Sequence, residues 1–324
     1  MAASARRRSR GASARSRRRA GNGTKSSRRL WFAGALAVAV TAILGAFFWM
    51  QATSSEDSAR YDALSTLTTA DFHSLTISPT DADVLLFGHH AGVLRSTDGG
   101  RTWAETSLRS QGQDVMGMAF VSLDGGELVG AGHDTFYRSA DGGQTWDPVT
   151  PSLPSTDIHG LAASPGDVAT VYAFVVGHGL YRSRDGGESW ERATQQQLPG
   201  DIHSMSAGPD GTLYLASSSS GVLRSDDSGQ TFIGVAGVTG PMVTAASPSA
   251  AGVVYAGTQR ELMYSADAGA TWVQRELPAP GMPLVISVNP VDAMDVVVVV
   301  VGPQGAGEVY RSVDGGKTWG DTAD

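Results

Sequence analysis

The sequence contains no cysteine, so the protein has neither disulfide bonds nor thiolate chemistry. Acidic residues are absent from the first 50 positions, and basic residues are scarce after residue 29. Of the 24 Lys and Arg residues, 11 precede residue 30, whereas all 32 Asp and Glu residues follow residue 50. Beyond residue 50, 13 Lys and Arg therefore stand against 32 Asp and Glu, a formal charge of −19. This excess argues against nucleic acid, an anionic surface or a polyanionic glycan as the partner of that part of the chain.

The first 50 residues divide into a basic block and an apolar run. Residues 1–29 carry ten Arg and one Lys among mostly Ser, Ala and Gly, a composition that cannot bury a core. Residues 30–50 carry no charge and are long enough to cross a bilayer, with Trp31 and Trp49 near the two interfaces. We predict a disordered cytoplasmic tail, a single transmembrane signal-anchor in a bacterial cell membrane, and a chain that continues outside.

Two other interpretations of this segment remain open. The run Ser27-Arg28-Arg29-Leu30-Trp31-Phe32 resembles a twin-arginine export motif, and cleavage after it would give a secreted protein, although no clean small-x-small cleavage site follows. The arginine block could also contact RNA or anionic lipid, but a solvated tail that sets the membrane topology explains it more simply.

After a predicted linker over residues 51–70, one eight-residue phrase occurs six times. Its frame is Ser-x-Asp-x-Gly-x-Thr-Trp, with Ser189 in place of Thr in the third copy and Phe232 in place of Trp in the fourth. The six aspartates of the phrase are Asp98, Asp141, Asp185, Asp227, Asp267 and Asp314. They are 40 to 47 residues apart, a period typical of arrays and propellers.

Each copy of the phrase lies between two strand-like runs, and two further apolar runs recur in each repeat. An Asp-x-Gly turn between strands predicts a β-hairpin in which the carboxylate accepts hydrogen bonds from the turn's own N–H groups. The copies lack the series of oxygen ligands of a calcium loop, so we favour a structural role for these aspartates over calcium binding. Four short strands per repeat, six times, predict an all-β, six-bladed β-propeller over residues 71–324.

The ring of blades must close, yet only five residues follow Trp319 in the last copy. Tyr61 precedes Asp71 by ten residues, close to the spacing that separates Trp146 from Asp157. We therefore predict that residues 61–66 supply or reinforce the outer strand of the last blade.

The repeated phrase closely resembles the Asp-box, or BNR repeat, of sialidases, sortilin-type receptors and photosystem assembly factors. The resemblance covers roughly residues 70 to 320 and implies a propeller in which the box joins the third and fourth strands of each blade. Phrases such as His178-Gly-Leu-Tyr also resemble a group of bacterial exported BNR proteins. The resemblance does not imply one activity, because the same fold carries many unrelated functions.

All seven histidines occupy two positions of the repeat. His73, His159 and His203 stand at the start of the first strand, where other blades have Met116, Met242 and Leu284. His89, His90, His133 and His178 stand in the turn between the second and third strands. In an up-and-down blade both positions fall on the face opposite the Asp-box turns, where propellers of this kind usually bind ligands.

Carboxylates accompany these histidines. Asp71, Asp114, Asp157 and Asp201 stand two residues before the first-strand His or Met, and we take Asp71, Asp157 and Asp201 as candidate site residues. Imidazoles beside carboxylates suit Zn²⁺ or copper, so His73, His159 and His203 form a candidate metal site at the channel mouth, with Met116 and Met242 nearby. The same groups could do acid–base chemistry, bind a partner, or only mark structure duplicated with the repeat.

Sialidase activity is not expected from this sequence. Such enzymes need an arginine triad and a tyrosine nucleophile, but Arg95, Arg138 and their equivalents recur with the repeat, as do the tyrosines after Tyr61. We predict a membrane-anchored propeller that binds a protein, peptide or glycan through the His/Asp/Met face. The alternative is a glycoside hydrolase-like enzyme that uses the carboxylates of that face.

Overall fold

The computed structural model describes residues 61–110 and 112–320, and within them the chain is a six-bladed β-propeller. These residues form 24 strands in six antiparallel sheets of four strands each. In chain order the strands are β1 (Ser65–Leu67), β2 (Ser74–Ile77), β3 (Leu85–His89), β4 (Gly92–Ser96), β5 (Ala104–Glu105), β6 (Gly117–Phe120), β7 (Leu128–Gly132), β8 (Thr135–Ser139), β9 (Asp147–Pro148), β10 (Ile158–Ser164), β11 (Asp167–Val175), β12 (Gly179–Ser183), β13 (Glu191–Arg192), β14 (Ile202–Ala207), β15 (Leu213–Ser217), β16 (Gly221–Ser225), β17 (Ile233–Val235), β18 (Val243–Ala246), β19 (Val254–Gly257), β20 (Leu262–Ser265), β21 (Val273–Arg275), β22 (Met282–Val288), β23 (Val296–Val301) and β24 (Gly307–Ser312).

Five blades are built from consecutive strands, and the sixth takes its outer strand from the other end of the described chain. Blades one to five are β2–β5, β6–β9, β10–β13, β14–β17 and β18–β21, and blade six has the order β22-β23-β24-β1. In blade six Ser65 pairs with Val309, and Leu67 pairs with Gly307. The strand that closes the ring therefore lies inside the predicted linker and overlaps the predicted range 61–66 at its last two residues.

The first strands of neighbouring blades pack side by side around a central channel of about 360 Å³. Its wall mixes small residues with Leu, Ile, Met and Val side chains, and the inner strands approach one another closely. At Gly117 a Cβ atom would lie only 2.8 Å from Cβ of Leu161 on the next blade. The channel is therefore narrow, and the side chains at its two mouths define the surfaces that a ligand can reach.

The hydrophobic core consists of six clusters, each between two adjacent blades. The aromatic residue that ends each repeated phrase packs into the cluster shared with the preceding blade; for example, Trp146 of blade two lies with Leu86 and Val93 of blade one. Burial of these large side chains between sheets holds neighbouring blades together.

The repeated turns are stapled by their own side chains, as predicted. In the second copy the Asp141 carboxylate accepts hydrogen bonds from the N–H groups of Gln144 and Thr145, and from the Thr145 hydroxyl at 2.6 Å. Ser139 donates to Asp141 and accepts from the N–H of Gly143, which has φ +81°. Because its own turn occupies the carboxylate, the aspartate is not free to serve as a surface ligand.

The predicted tail over residues 1–29 and the predicted transmembrane segment over residues 30–50 lie outside the described residues. In the part of the chain that the structure describes, no helix is long and apolar enough to cross a membrane.

Candidate functional site

The antiparallel order of each blade sends two kinds of chain segment to the same end of the propeller. These are the start of the first strand and the turn between the second and third strands, and together they carry all seven histidines. We call this end the histidine face. The six stapled turns lie at the other end of the strands, which we call the Asp-turn face.

Four of the seven histidines form a continuous row across blades one to three. Nε2 of His73 lies 2.9 Å from Nε2 of His90, and Nε2 of His133 lies 3.1 Å from Nε2 of His159. The His90 and His133 rings join the two pairs, with their centroids 5.4 Å apart. The row thus has the two turn histidines at its centre and a first-strand histidine at each end, and the second pair spans two blades.

The carboxylates beside the row orient the turn histidines. Asp71 accepts a hydrogen bond from Nδ1 of His90 at 2.6 Å and from the His90 N–H at 2.7 Å. Asp114 makes the same two contacts with His133, at 2.6 and 2.7 Å. Because Nδ1 of each turn histidine faces a carboxylate, its Nε2 is left to face the neighbouring first-strand imidazole.

Burial and the neighbouring carboxylates shift the pKa values of these histidines in opposite directions. Burial, aided by the charge of His90, lowers the pKa of His73 to about 4. Hydrogen bonds to Asp71 and Asp114 raise the pKa of His90 and of His133. The row therefore contains a neutral imidazole, His73, next to one that is readily protonated.

The four carboxylates of the histidine face all favour the charged form. Burial raises the pKa of Asp71 and of Asp114, but hydrogen bonds from His90 and His133 outweigh it and lower both pKa values. The adjacent His159 imidazole lowers the pKa of Asp157, and three serines lower that of Asp201 against the effect of burial. A glycosidase needs a carboxyl group with a raised pKa as its general acid, and these four groups do not supply one.

Three overlapping groups in the described residues have the composition of a metal site. They are Asp71 with His73 and His90, Asp114 with His90 and His133, and Asp157 with His133 and His159. In each group the potential ligand atoms lie within 4.8 Å of one another. His73 and His159 belong to different groups, and His203 belongs to none, so the three histidines of the predicted metal site are not brought together.

The fourth blade replaces the turn histidine with serines. Asp201 accepts hydrogen bonds from the hydroxyls of Ser217 and Ser218, both at 2.7 Å, and from the N–H of Ser219. His203 lines the channel, and burial lowers its pKa. In blades one, two and four the side chain of this aspartate thus binds the turn of its own blade, whereas in blade three the Asp157 side chain faces His159.

The remaining predicted residues lie apart from the row. His89 stacks on Phe87 with ring centroids 6.0 Å apart and lines a separate cavity beside Trp103, while His178 is exposed at the tip of its turn. Met116 lines the channel, and Met242 is partly buried just before β18.

Asp114 is the residue that the sequence-based choice of site residues left out. It is followed by Val115-Met116 instead of by a histidine two residues later, yet its side chain is more buried than those of Asp71 and Asp157, at 6 % against 17 % and 35 % exposed. Its position in the repeat, two residues before Met116, which is equivalent to the first-strand histidines, was the signal that could have included it.

Comparison with known proteins gives the family. The model of the family described as Photosynthesis system II assembly factor YCF48 matches residues 53–232, which is more than half of the chain. The chain belongs to this BNR-repeat family. No curated protein matches the chain in sequence at a significant level.

Solved structures agree with the fold. YCF48 bound to a D1 peptide aligns with a TM-score of 0.52 at 19% identity, covering 83% of this chain and 88% of the other. YCF48 from Cyanidioschyzon merolae aligns with a TM-score of 0.52 at 20% identity, covering 81% and 87%.

Enzymes of the same architecture are also similar. The GH74 xyloglucanase from Xanthomonas campestris aligns with a TM-score of 0.56 at 16% identity over 80% of this chain. The chain spans only 46% of that enzyme's length. At these identities the likeness establishes the propeller fold, and the function has to be argued from the site.

Proposed function

We propose that this protein is a membrane-anchored, extracytoplasmic propeller that binds a peptide segment of a partner protein at the histidine face. Membership of the YCF48 family carries the proposal, because a solved relative of that name holds a D1 peptide and aligns over most of both chains. The partner in this case is defined by the chemistry of the face, not by the relative's ligand.

The histidine face offers many polar groups in a small area. His90 and His133 have side chains 42% and 46% exposed, and both can donate or accept hydrogen bonds through Nε2. The channel behind them, at about 360 Å³, has room for a side chain or a short extended segment but not for a folded domain. A peptide laid across the row could pair its backbone and carboxylate groups with these imidazoles.

The Asp-turn face is chemically different. Its carboxylates are occupied by their own turns, and its end of the channel carries exposed apolar side chains, Leu123 at 70% and Val291 at 74%. A purely apolar segment would dock there instead. The two faces therefore predict different partners and can be separated by experiment.

The test is photo-crosslinking in cells that produce the full chain with a photoreactive amino acid at one position. His178 on the histidine face and Glu188 on the Asp-turn face form a matched pair, since both are exposed and belong to blade three. Leu123 is a third position, at the apolar end of the channel. We expect a discrete crosslinked protein, identified by mass spectrometry, from position 178 and not from 188 or 123.

A crosslink that forms only from position 123 or 188 would put the partner on the other face and overturn this proposal. Absence of a crosslink at all three positions would overturn the binding function itself. The native sequence at each position, irradiated in parallel, controls for background crosslinking.

The proposed location rests on residues 1–50. Residues 30–50 carry no charge, and the 29 residues before them are basic and contain no acidic group. Because the basic flank of a transmembrane segment tends to stay in the cytoplasm, residues 1–29 are expected there. Protease added to intact spheroplasts should then degrade the propeller but spare an N-terminal tag. Protection of the propeller would contradict the orientation.

A further inference from the structure

The second pair of histidines has a feature that hydrogen bonding within the protein does not explain. Oδ1 of Asp157 is buried and has no hydrogen-bond partner, although it lies 3.3 Å from Nε2 of His159. Leaving a charged oxygen without a partner away from water costs free energy, so such an atom calls for an explanation. A cation at this position would satisfy it.

The two imidazole nitrogens beside this oxygen, Nε2 of His133 and Nε2 of His159, have the spacing of two ligands bound to the same metal ion. Imidazole nitrogens bound to tetrahedral Zn²⁺ at roughly 2.0–2.1 Å lie about 3.3 Å from each other. The observed separation between Nε2 of His133 and Nε2 of His159 is 3.1 Å. The Asp157 oxygen, at 3.3 Å from Nε2 of His159, has the same spacing.

The outer contacts of His133 are also those of a metal ligand. Its Nδ1 faces Asp114 at 2.6 Å, and a ligand histidine in a protein almost always gives its second ring nitrogen to such a carboxylate. This contact fixes the ring and leaves Nε2 as an electron-pair donor. His133 is 46% exposed, which gives an ion a route from solvent, and the negative charge beyond residue 50 attracts cations.

We propose that His133, His159 and Asp157 bind one transition-metal ion of the Zn²⁺ class, with Asp114 as a positioning residue. Two imidazoles and one carboxylate form a borderline donor set that suits Zn²⁺ and leaves at least one coordination position open. That open position is where a carboxylate or imidazole of a bound peptide would reach the metal. The ion binds to the isolated protein, so the site does not depend on the proposed partner.

The first pair, His73 and His90, repeats part of this arrangement. Its nitrogens are 2.9 Å apart and Nδ1 of His90 faces Asp71, but the nearest unpartnered carboxylate oxygen, Oδ1 of Asp114, is 3.9 Å from Nε2 of His90. This pair therefore binds the ion more weakly than the site at His133.

The experiment is calorimetric titration of Zn²⁺ into the full chain, purified in detergent with a tag that lacks histidine and stripped with chelator. Wild-type protein should bind one tight equivalent, which His133→Gln and Asp157→Asn should each remove. Asp114→Asn should weaken it about 10- to 100-fold, the usual effect of a lost outer contact to a ligand. The matched control is His178→Gln, an exposed histidine in the equivalent turn of the next blade, which should retain the tight equivalent.

Three results would overturn the proposal. They are no Zn²⁺ binding by wild-type protein, an unchanged tight equivalent in His133→Gln, and loss of that equivalent in His178→Gln. Thermal unfolding in chelator shows whether each variant is folded. X-ray absorption of the wild-type complex tests the ligands without any substitution: imidazole scattering at roughly 2.0–2.1 Å supports the site, and oxygen-only coordination refutes it.

Discussion

Four of the five arginines that precede a copy of the repeated phrase link neighbouring blades, and the last of them, Arg311, should contribute most to stability. Arg95 donates to the carbonyl of Gly142 in the next blade's turn at 3.1 Å, and Arg224 donates likewise to Ala268 at 2.8 Å. Arg311 of blade six instead binds the Asp295 carboxylate through two nitrogens, at 2.7 and 2.6 Å, and donates to the Ala82 carbonyl of blade one. It thereby joins the two blades at which the ring closes.

Replacing this arginine should be costly because the ion pair is buried. Arg311 and Asp295 have side chains only 9% and 8% exposed, so Arg311→Met leaves a buried carboxylate without its cation. Breaking such a pair costs about 3–5 kcal/mol. For a domain of this size that corresponds to a decrease of roughly 6–20 °C in the unfolding temperature.

The repeat supplies a matched control at the same position. Arg182 pairs with Glu191 in its own blade, and Glu191 is 57% exposed, so Arg182→Met should cost only about 0–1 kcal/mol. The assay is urea unfolding of the full chain followed by tryptophan fluorescence. Equal losses in the two variants would refute the argument, as would a double variant, Arg311→Met with Asp295→Asn, that recovers none of the loss even though no buried charge remains.

Two further predictions concern the repeated turns. Hydrogen bonds from the Thr231 hydroxyl and N–H and from Ser225 lower the pKa of Asp227 to about 2, below its usual value of 3.8. The contribution of the charged Asp227 to folding stability should therefore be complete above about pH 4 and lost as the pH falls towards 2. Carboxyl NMR titration should show this, with Thr231→Val raising the Asp227 pKa; an unchanged pKa in that variant would contradict the cause. Gly143→Ala should destabilise the fold by about 2–5 kcal/mol, because φ is +81° and the new Cβ would lie 2.0 Å from Leu86. Gly177→Ala, at φ +74° with no atom within 4 Å, should cost only about 1–2 kcal/mol in the same urea unfolding assay, and similar losses in the two variants would show that the contact with Leu86 is unimportant.

Most of the fold could be predicted because the repeat is local. The phrase needs only its own Ser, Asp, Gly and Thr to form its turn, and the hydrogen bonds of Asp141 all stay within five residues of it. Four short antiparallel strands per repeat, at a period of 40 to 47 residues, are typical of propeller blades, and six copies predict six blades. The division of the histidines between two repeat positions follows from the same regularity.

The site could be predicted only in part. The sequence indicated the face and most of its residues, but it grouped His73, His159 and His203 because they share one repeat position. In the structure a turn histidine reaches a first-strand histidine, and His133 meets His159 on the following blade at 3.1 Å. His73 and His159 are two blades apart, so they are connected only through the turn histidines His90 and His133 that lie between them.

The sequence by itself determined the blade count, the stapled turns and the side of the propeller that carries the histidines, because each depends on short-range spacing. Only the tertiary structure decided which imidazoles face each other, that Asp114 holds His133, and that Oδ1 of Asp157 is buried without a hydrogen-bond partner. These features arise where neighbouring blades meet, and the distance between blades is set by the packing of side chains far apart in the chain.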